Sequence, residues 1–138
     1  MTVSIPAFVG EHLRTFGITA TDWSGSDGNG TFQFRAVVRD AANQGNVLIA
    51  SVPTTDIAGV LQNDPRANES CNIAFIGDVK VLLGGTVAYN DPLTIDANGR
   101  FLKAVAASGN VIYGRALMPG VLGDIISATV NVAATRLA

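Results

Sequence analysis

Apolar residues recur at every second position through most of this chain, and a period of 2 fits only an extended backbone with one face buried. In residues 32–39 the set Phe32, Phe34, Ala36 and Val38 alternates with Gln33, Arg35 and Arg39, which predicts a strand with the first set inward. In residues 72–81 the inward set is Ile73, Phe75, Gly77, Val79 and Val81, opposite Asn72, Asp78 and Lys80. A third case sets Ile126, Ala128, Val130 and Val132 against Ser127, Thr129 and Asn131. Shorter apolar runs at 47–52, 57–61, 93–95, 101–105 and 111–117 also read as strands. Turn residues punctuate them: Asn43, Gly45, Asn63, Pro65, Gly84, Gly85, Asn90, Pro92, Gly109, Asn110, Pro119 and Gly120. The Asn98-Gly99 pair marks a tight hairpin between 93–95 and 101–105. Eight or so strands at this spacing predict an all-β fold, a small β-sandwich or barrel. Helix is confined to a turn near 53–56 and a short stretch at 8–16. A weak echo, Ile57-Ala-Gly59 and Ile112-Tyr-Gly114, hints at duplicated strand pairs.

Residues 1–30 lack the alternation. Ile5, Phe8, Val9, Leu13, Phe16 and Trp23 are mixed with polar residues without a sustained period, and Gly25–Gly30 follows. This predicts an N-terminal arm and Gly-rich loop over 1–30 joined to a β-rich body at 31–138, the alternative being that the segment is the first strand of the barrel.

Charge narrows the function. Of 138 residues only 14% are charged, with 9 basic against 11 acidic, while 48% are hydrophobic. The two lysines and seven arginines are scattered, so no basic patch marks a nucleic-acid partner. No run approaches the ~20 apolar residues of a membrane span. The start has neither a positive n-region nor an apolar h-region, which predicts a protein made and kept in a cytoplasm.

Catalytic signals are thin. His12 is the one histidine and Cys71 the one cysteine, so neither a disulfide nor a cysteine zinc cluster is available, and Cys71 reads as a packed thiol. Asp56, Asp64, Asp78, Asp91, Asp96 and Asp124 could pair in space, but most lie beside Pro or Gly in turns, where Asp caps backbone. Gly25–Gly30 lacks the Lys of a phosphate loop and the terminal acid of a calcium loop. The tripeptides Asn29–Thr31 and Asn68–Ser70 match a glycosylation pattern that a cytoplasmic chain never presents for modification. The expectation is no enzyme, no cofactor and no metal. A domain so poor in charge must expose neutral surface or cover it against copies or a partner, which favours assembly.

The succession of 57–65, 72–81, 83–94 (with Asn90-Asp-Pro-Leu-Thr94), 96–100, 112–117 and 123–126 resembles the capsid cement, or decoration, proteins of tailed bacteriophages over roughly 57–132. That family carries Gly where this chain has Asn90, and Asn also tolerates left-handed angles. The resemblance implies a β-tulip-like, non-enzymatic virion protein made in the host bacterial cytoplasm. Such a protein binds the major capsid protein on the exterior of the expanded head as a homotrimer at local threefold positions, and stabilises the head against DNA pressure. Ile5, Phe8, Phe16 and Trp23 are then the expected capsid anchors. The alternative is a β-sandwich head-fibre or tail-associated module recognising carbohydrate, with Trp23, Tyr89 and Tyr113 as the available aromatic platforms.

Overall fold

The computed structural model describes residues 13–132 together with the backbone of 136–137. Among these residues every regular element is a strand: β1 (Leu13–Ile18), β2 (Ser26–Asp27), β3 (Gly30–Thr31), β4 (Ala36–Arg39), β5 (Val47–Ile49), β6 (Gly59–Leu61), β7 (Ser70–Leu82), β8 (Pro92–Ile95), β9 (Phe101–Lys103), β10 (Val111–Ile112), β11 (Gly114–Ala116), β12 (Ile125–Asn131) and β13 (Arg136–Leu137). The all-β expectation holds. Of the expected 8–16 helix, 13–16 lies in β1 and the remainder falls outside the described residues.

One antiparallel sheet organises the molecule, in the order β5-β4-β6-β7-β12-β11-β8-β9, with β1 also paired to β7. The sheet curls into a half-barrel. Its far end returns to the middle, because Leu83 bridges Phe101 and the Ala36 amide donates to Gly99 O at 2.8 Å. The Asn98-Gly99 hairpin forms as read, joining β8 to β9 with Gly99 at φ +73. Asn90 sits at φ +67, the left-handed angle its position in the turn demands. The echo at Gly59 and Gly114 has a shared cause. A Cβ on Gly59 would lie 2.3 Å from Ala74 O, and one on Gly114 2.1 Å from Thr129 O, so each glycine admits a neighbouring strand's backbone.

The core divides in two. Inside the curl, Val79, Val81, Leu93, Ile95, Phe101, Tyr113, Ile126, Ala128 and Val130 form the main cluster. Trp23, Val37, Val47, Leu61, Cys71 and Ile73 form a second. Neighbours in sequence part ways: Ala36, Val60 and Ala74 enter the first cluster while Val37, Leu61 and Ile73 enter the second. This half of the sheet is therefore buried on both faces. Residues around Trp23 and Phe32 supply the second layer, so 13–30 belongs to the body and not to an arm.

Arg35 explains where alternation fails. Phe34 takes φ +71, which breaks the expected strand, so β4 begins only at Ala36. Arg35 consequently turns inward and is 2% exposed, against the outward position expected of it. Its guanidinium donates to Thr31 O (2.8 Å), Gly30 O (2.9 Å), Asn98 O (3.4 Å) and both Asp27 oxygens (2.6 and 3.2 Å), and it lies 4.8 Å from the Phe32 ring centroid. The Gly-rich segment is thereby pinned as the β2–β3 hairpin instead of serving as a flexible linker. The Arg35 hydrogen bond holds the Asp27 carboxyl below its usual range.

Arg35→Met should therefore destabilise the fold by about 2–4 kcal/mol in urea unfolding, since several half-buried carbonyls and a carboxylate lose their buried donor. Because pairing lowers the folded-state value of Asp27, its contribution is complete above about pH 4 and is lost as pH falls through the lowered value. The acid slope of stability should flatten in the variant.

Candidate functional site

Among the described residues, the nucleophilic and titratable groups singled out by the sequence are mostly buried or held in local contacts. Cys71 is fully buried, and burial pushes its thiol up, away from the thiolate a nucleophile needs. Tyr113 is 1% exposed; it donates to Thr55 O, and burial with the Asp56 charge pushes its hydroxyl up to about 12. Three of the candidate aspartates are engaged locally. Asp96 accepts from Arg100 Nε and the Asn98 amide, Asp91 from the Ala88 amide, and Asp124 from the Val121 amide. Among the described residues no group of three metal-ligating side chains gathers. His12 lies outside the described residues.

Exposed apolar residues, in contrast, concentrate at two places. At one, β1 lies along β7 from Gly17↔Cys71 to Leu13↔Ile76. Its side chains face water: Phe16 is 64% exposed, Leu13 53% and Ile18 44%, and only Gly17 is buried. The strand is held by backbone pairing, by Arg39 donating to Phe16 O (2.8 Å) and Thr15 Oγ1 (2.9 Å), and by the Ile18 amide donating to Gly45 O (2.9 Å). Phe16 is thus an exposed ring on a fixed strand.

The second place is the β11–β12 connection. Leu117, Met118, Val121, Leu122 and Ile125 are 38–60% exposed there, and Tyr89, on the neighbouring segment, is 70% exposed. Backbone bonds lock the two segments together: Val87 and Gly120 exchange both amides (2.9 and 3.1 Å), Asn90 donates to Ala116 O (2.7 Å) and Gly123 to Leu83 O (3.0 Å). Beside them lies an open groove of about 310 Å³, lined by Asn90, Arg115, Leu117, Thr129 and Asn131 among others. The two places sit at opposite ends of β7. Phe16 pairs with Asn72 and Ile125 with Leu82, ten residues on, a separation of about 30 Å at the rise of a strand.

Of the expected anchors, Phe16 is exposed, while Ile5 and Phe8 lie outside the described residues. Trp23 is corrected: it is 4% exposed within the second core cluster, because it roofs β4, β6 and β7, and so offers no surface. The same burial removes Trp23 and Tyr113 as aromatic platforms and leaves Tyr89. The 117–125 surface was missed because 111–117 read as one strand. The signal was there, since Leu117, Met118, Val121 and Leu122 crowd a turn with no alternation to bury them.

No protein-family model matches the sequence, and no curated protein matches it. Among solved structures the chain is similar to the head fiber gp8.5 N base of bacteriophage phi29, with a TM-score of 0.65 at 13% identity, covering 88% of this chain and 96% of that one. At that identity the likeness establishes the fold.

Phe16→Ser should leave the unfolding free energy within about 0.5 kcal/mol of wild type, as for other surface changes. Trp23→Ala should cost about 3–5 kcal/mol. Equilibrium denaturation of the two variants separates the surface residue from the core one.

Proposed function

We propose that this protein is a structural component of a tailed-phage head: a decoration (cement) protein that binds the exterior of the expanded shell, as a trimer at local threefold positions. The observation that carries the reading is the fold shared with a phage head fiber base along nearly the whole of both chains. The ordered series of strand-and-turn elements over 57–132 that resembles cement proteins supports it independently. So does the exposure of Phe16, large and apolar on a fixed strand, a fitting anchor for major capsid protein together with Ile5 and Phe8.

The role is mechanical and calls for no catalysis, cofactor, nucleic acid or membrane. A clamp stabilises a shell only through differential binding: preferring the expanded lattice to the precursor adds that preference to the stability of the expanded state and opposes rupture by packaged DNA. The virion exterior is then its location. A second reading, that the chain is the base of a head fibre whose module recognises carbohydrate, draws on the same structural likeness and on Tyr89 standing exposed beside the groove at Asn90.

Co-sedimentation of the purified protein with expanded, undecorated heads of its phage, with unexpanded precursor shells as control, tests the proposal. Saturable binding to the expanded form alone is expected, weakened at least ~10-fold by Phe16→Ser. A folded protein that binds neither shell would overturn it. Glycan-array binding that Tyr89→Ala abolishes would favour the second reading.

A further inference from the structure

We propose that the groove beside the Tyr89–Asn90 turn binds an acidic saccharide, a sugar chain whose units carry a carboxylate, with Arg115 as the residue that selects the charge. The saccharide class rests on the second reading above; the charge and the placement rest on Arg115 and its surroundings.

The groove lies on the outer, polar face of the sheet. Arg115 on β11 pairs with Thr129 on β12, Asn131 stands on the same face two residues along β12, and Asn90 enters from the turn before β8. A volume of about 310 Å³ is at the small end of ligand sites, with room for part of a sugar chain and not for a strand or helix of another protein.

Arg115 stands apart from its fellow cations. Arg35, Arg100 and Lys103 each pair with an aspartate, whereas Arg115 pairs with no acid among the described residues. One of its nitrogens donates to Asn90 O at 3.1 Å, which holds the guanidinium at the groove and leaves Nε and Nη2 with no acceptor among those residues. A planar fork with idle N–H groups suits the two oxygens of a carboxylate. The neighbouring acids are already engaged: Asp91 with Lys103 and the Ala88 amide, and Asp78, about 10 Å from Arg115 across β12, with Thr129.

The rest of the lining decides what carries the carboxylate. The side-chain amides of Asn90 and Asn131 make no hydrogen bond among the described residues, and each offers donors and an acceptor together, as sugar hydroxyls require. The exposed Tyr89 ring supplies an apolar face at the rim. A phosphate calls for a nest of backbone N–H groups. Those of Asn90, Tyr113 and Asn131 already donate to Ala116 O, Leu93 O and Tyr113 O, at 2.7, 2.9 and 3.2 Å. A nucleic acid calls for several cations, and of the residues lining the groove only Arg115 is one.

Titration of the full-length protein with a panel of uronate oligosaccharides, and with neutral oligosaccharides of the same length, followed by amide NMR shifts, is the test. At least one uronate chain should bind, at least ~10-fold more tightly than its neutral counterpart, as for a charge-assisted hydrogen bond in place of a neutral one. Arg115→Gln should erase that preference, and Arg115→Lys should keep only part of it, because an ammonium lacks the fork. Both variants should unfold at the wild-type denaturant concentration, since Arg115 is exposed, and should sediment with expanded heads as wild type does. Equal affinity for acidic and neutral chains would overturn the selection of charge and leave the carbohydrate reading standing. A preference that survives Arg115→Gln would overturn this site. Acetate or inorganic phosphate that competes as well as the chain, mole for mole, would overturn the saccharide class. A folded protein that binds no member of the panel would overturn the proposal and the second reading together, with head binding untouched.

Discussion

Strand β7 is the constraint on which the rest of the structure depends. Its 13 residues pair with β6 on one edge and with β1 and then β12 on the other, so a single extended segment sets the register of three strands drawn from distant parts of the chain. Shifting a strand by one residue sends every side chain to the opposite face. A slip in β7 would therefore carry Val79 and Val81 out of the core and put Asp78 and Lys80 into it. The cost of that exchange fixes the fold, and it also fixes where the two exposed apolar ends lie, because each is registered to one end of this strand.

Around β7 the sheet solves two different problems. Its second half meets β12 inside the curl, with one apolar face and one polar face, where Thr129 donates to Asp78 at 2.9 Å. Its first half is covered on both sides, and the second cover is made of segments with little regular structure, namely 19–25 and the β2–β3 hairpin. Loops over a core need their polar groups satisfied, and Arg35 satisfies several at once by capping the carbonyls of Gly30, Thr31 and Asn98 while pairing with Asp27. One guanidinium thus holds the roof over the first half and ties it to the β8–β9 hairpin.

That division accounts for what could be read in advance. The alternation in the second half of β7 and in β12 is legible because those residues have one wet face, and the Asn98-Gly99 turn is legible because its chemistry is local. Arg35 and Trp23 were misplaced for two reasons: the positive φ of Phe34 breaks the alternation just before Arg35, and Trp23 lies in a segment with no period, whose packing over the sheet is set only by the tertiary fold. Periodicity reports what a strand presents, and it is blind to what later lies over it. The surface residues follow the same logic. Phe16 stood out as a large ring in a polar context, while 117–125 was hidden by its continuity with the apolar run before it. Tyr113 divides that run: it is drawn inward to reach Thr55 O, so β10 and β11 separate there and the chain after Ala116 leaves the sheet.

The same geometry bears on how such a protein could work. A clamp that touched its shell and its own copies through one shared patch would set the two contacts in competition, because burying the patch in one would remove it from the other. Here the apolar surfaces are about 30 Å apart along one strand, and charged side chains flank both, Arg39 at one and Arg115 with the Lys103–Asp91 pair at the other. Binding at one end leaves the other available. If copies join through one end, each shell contact at the other raises the local concentration of the next, so modest individual contacts combine into firm attachment without any change of shape. Rigidity is what makes that arithmetic work, since linked sites reinforce one another only when their spacing matches the spacing of their targets. The buried register of β7 and the Arg35 clamp supply that rigidity, so the interactions that specify the fold are the ones that would set the spacing of its two surfaces.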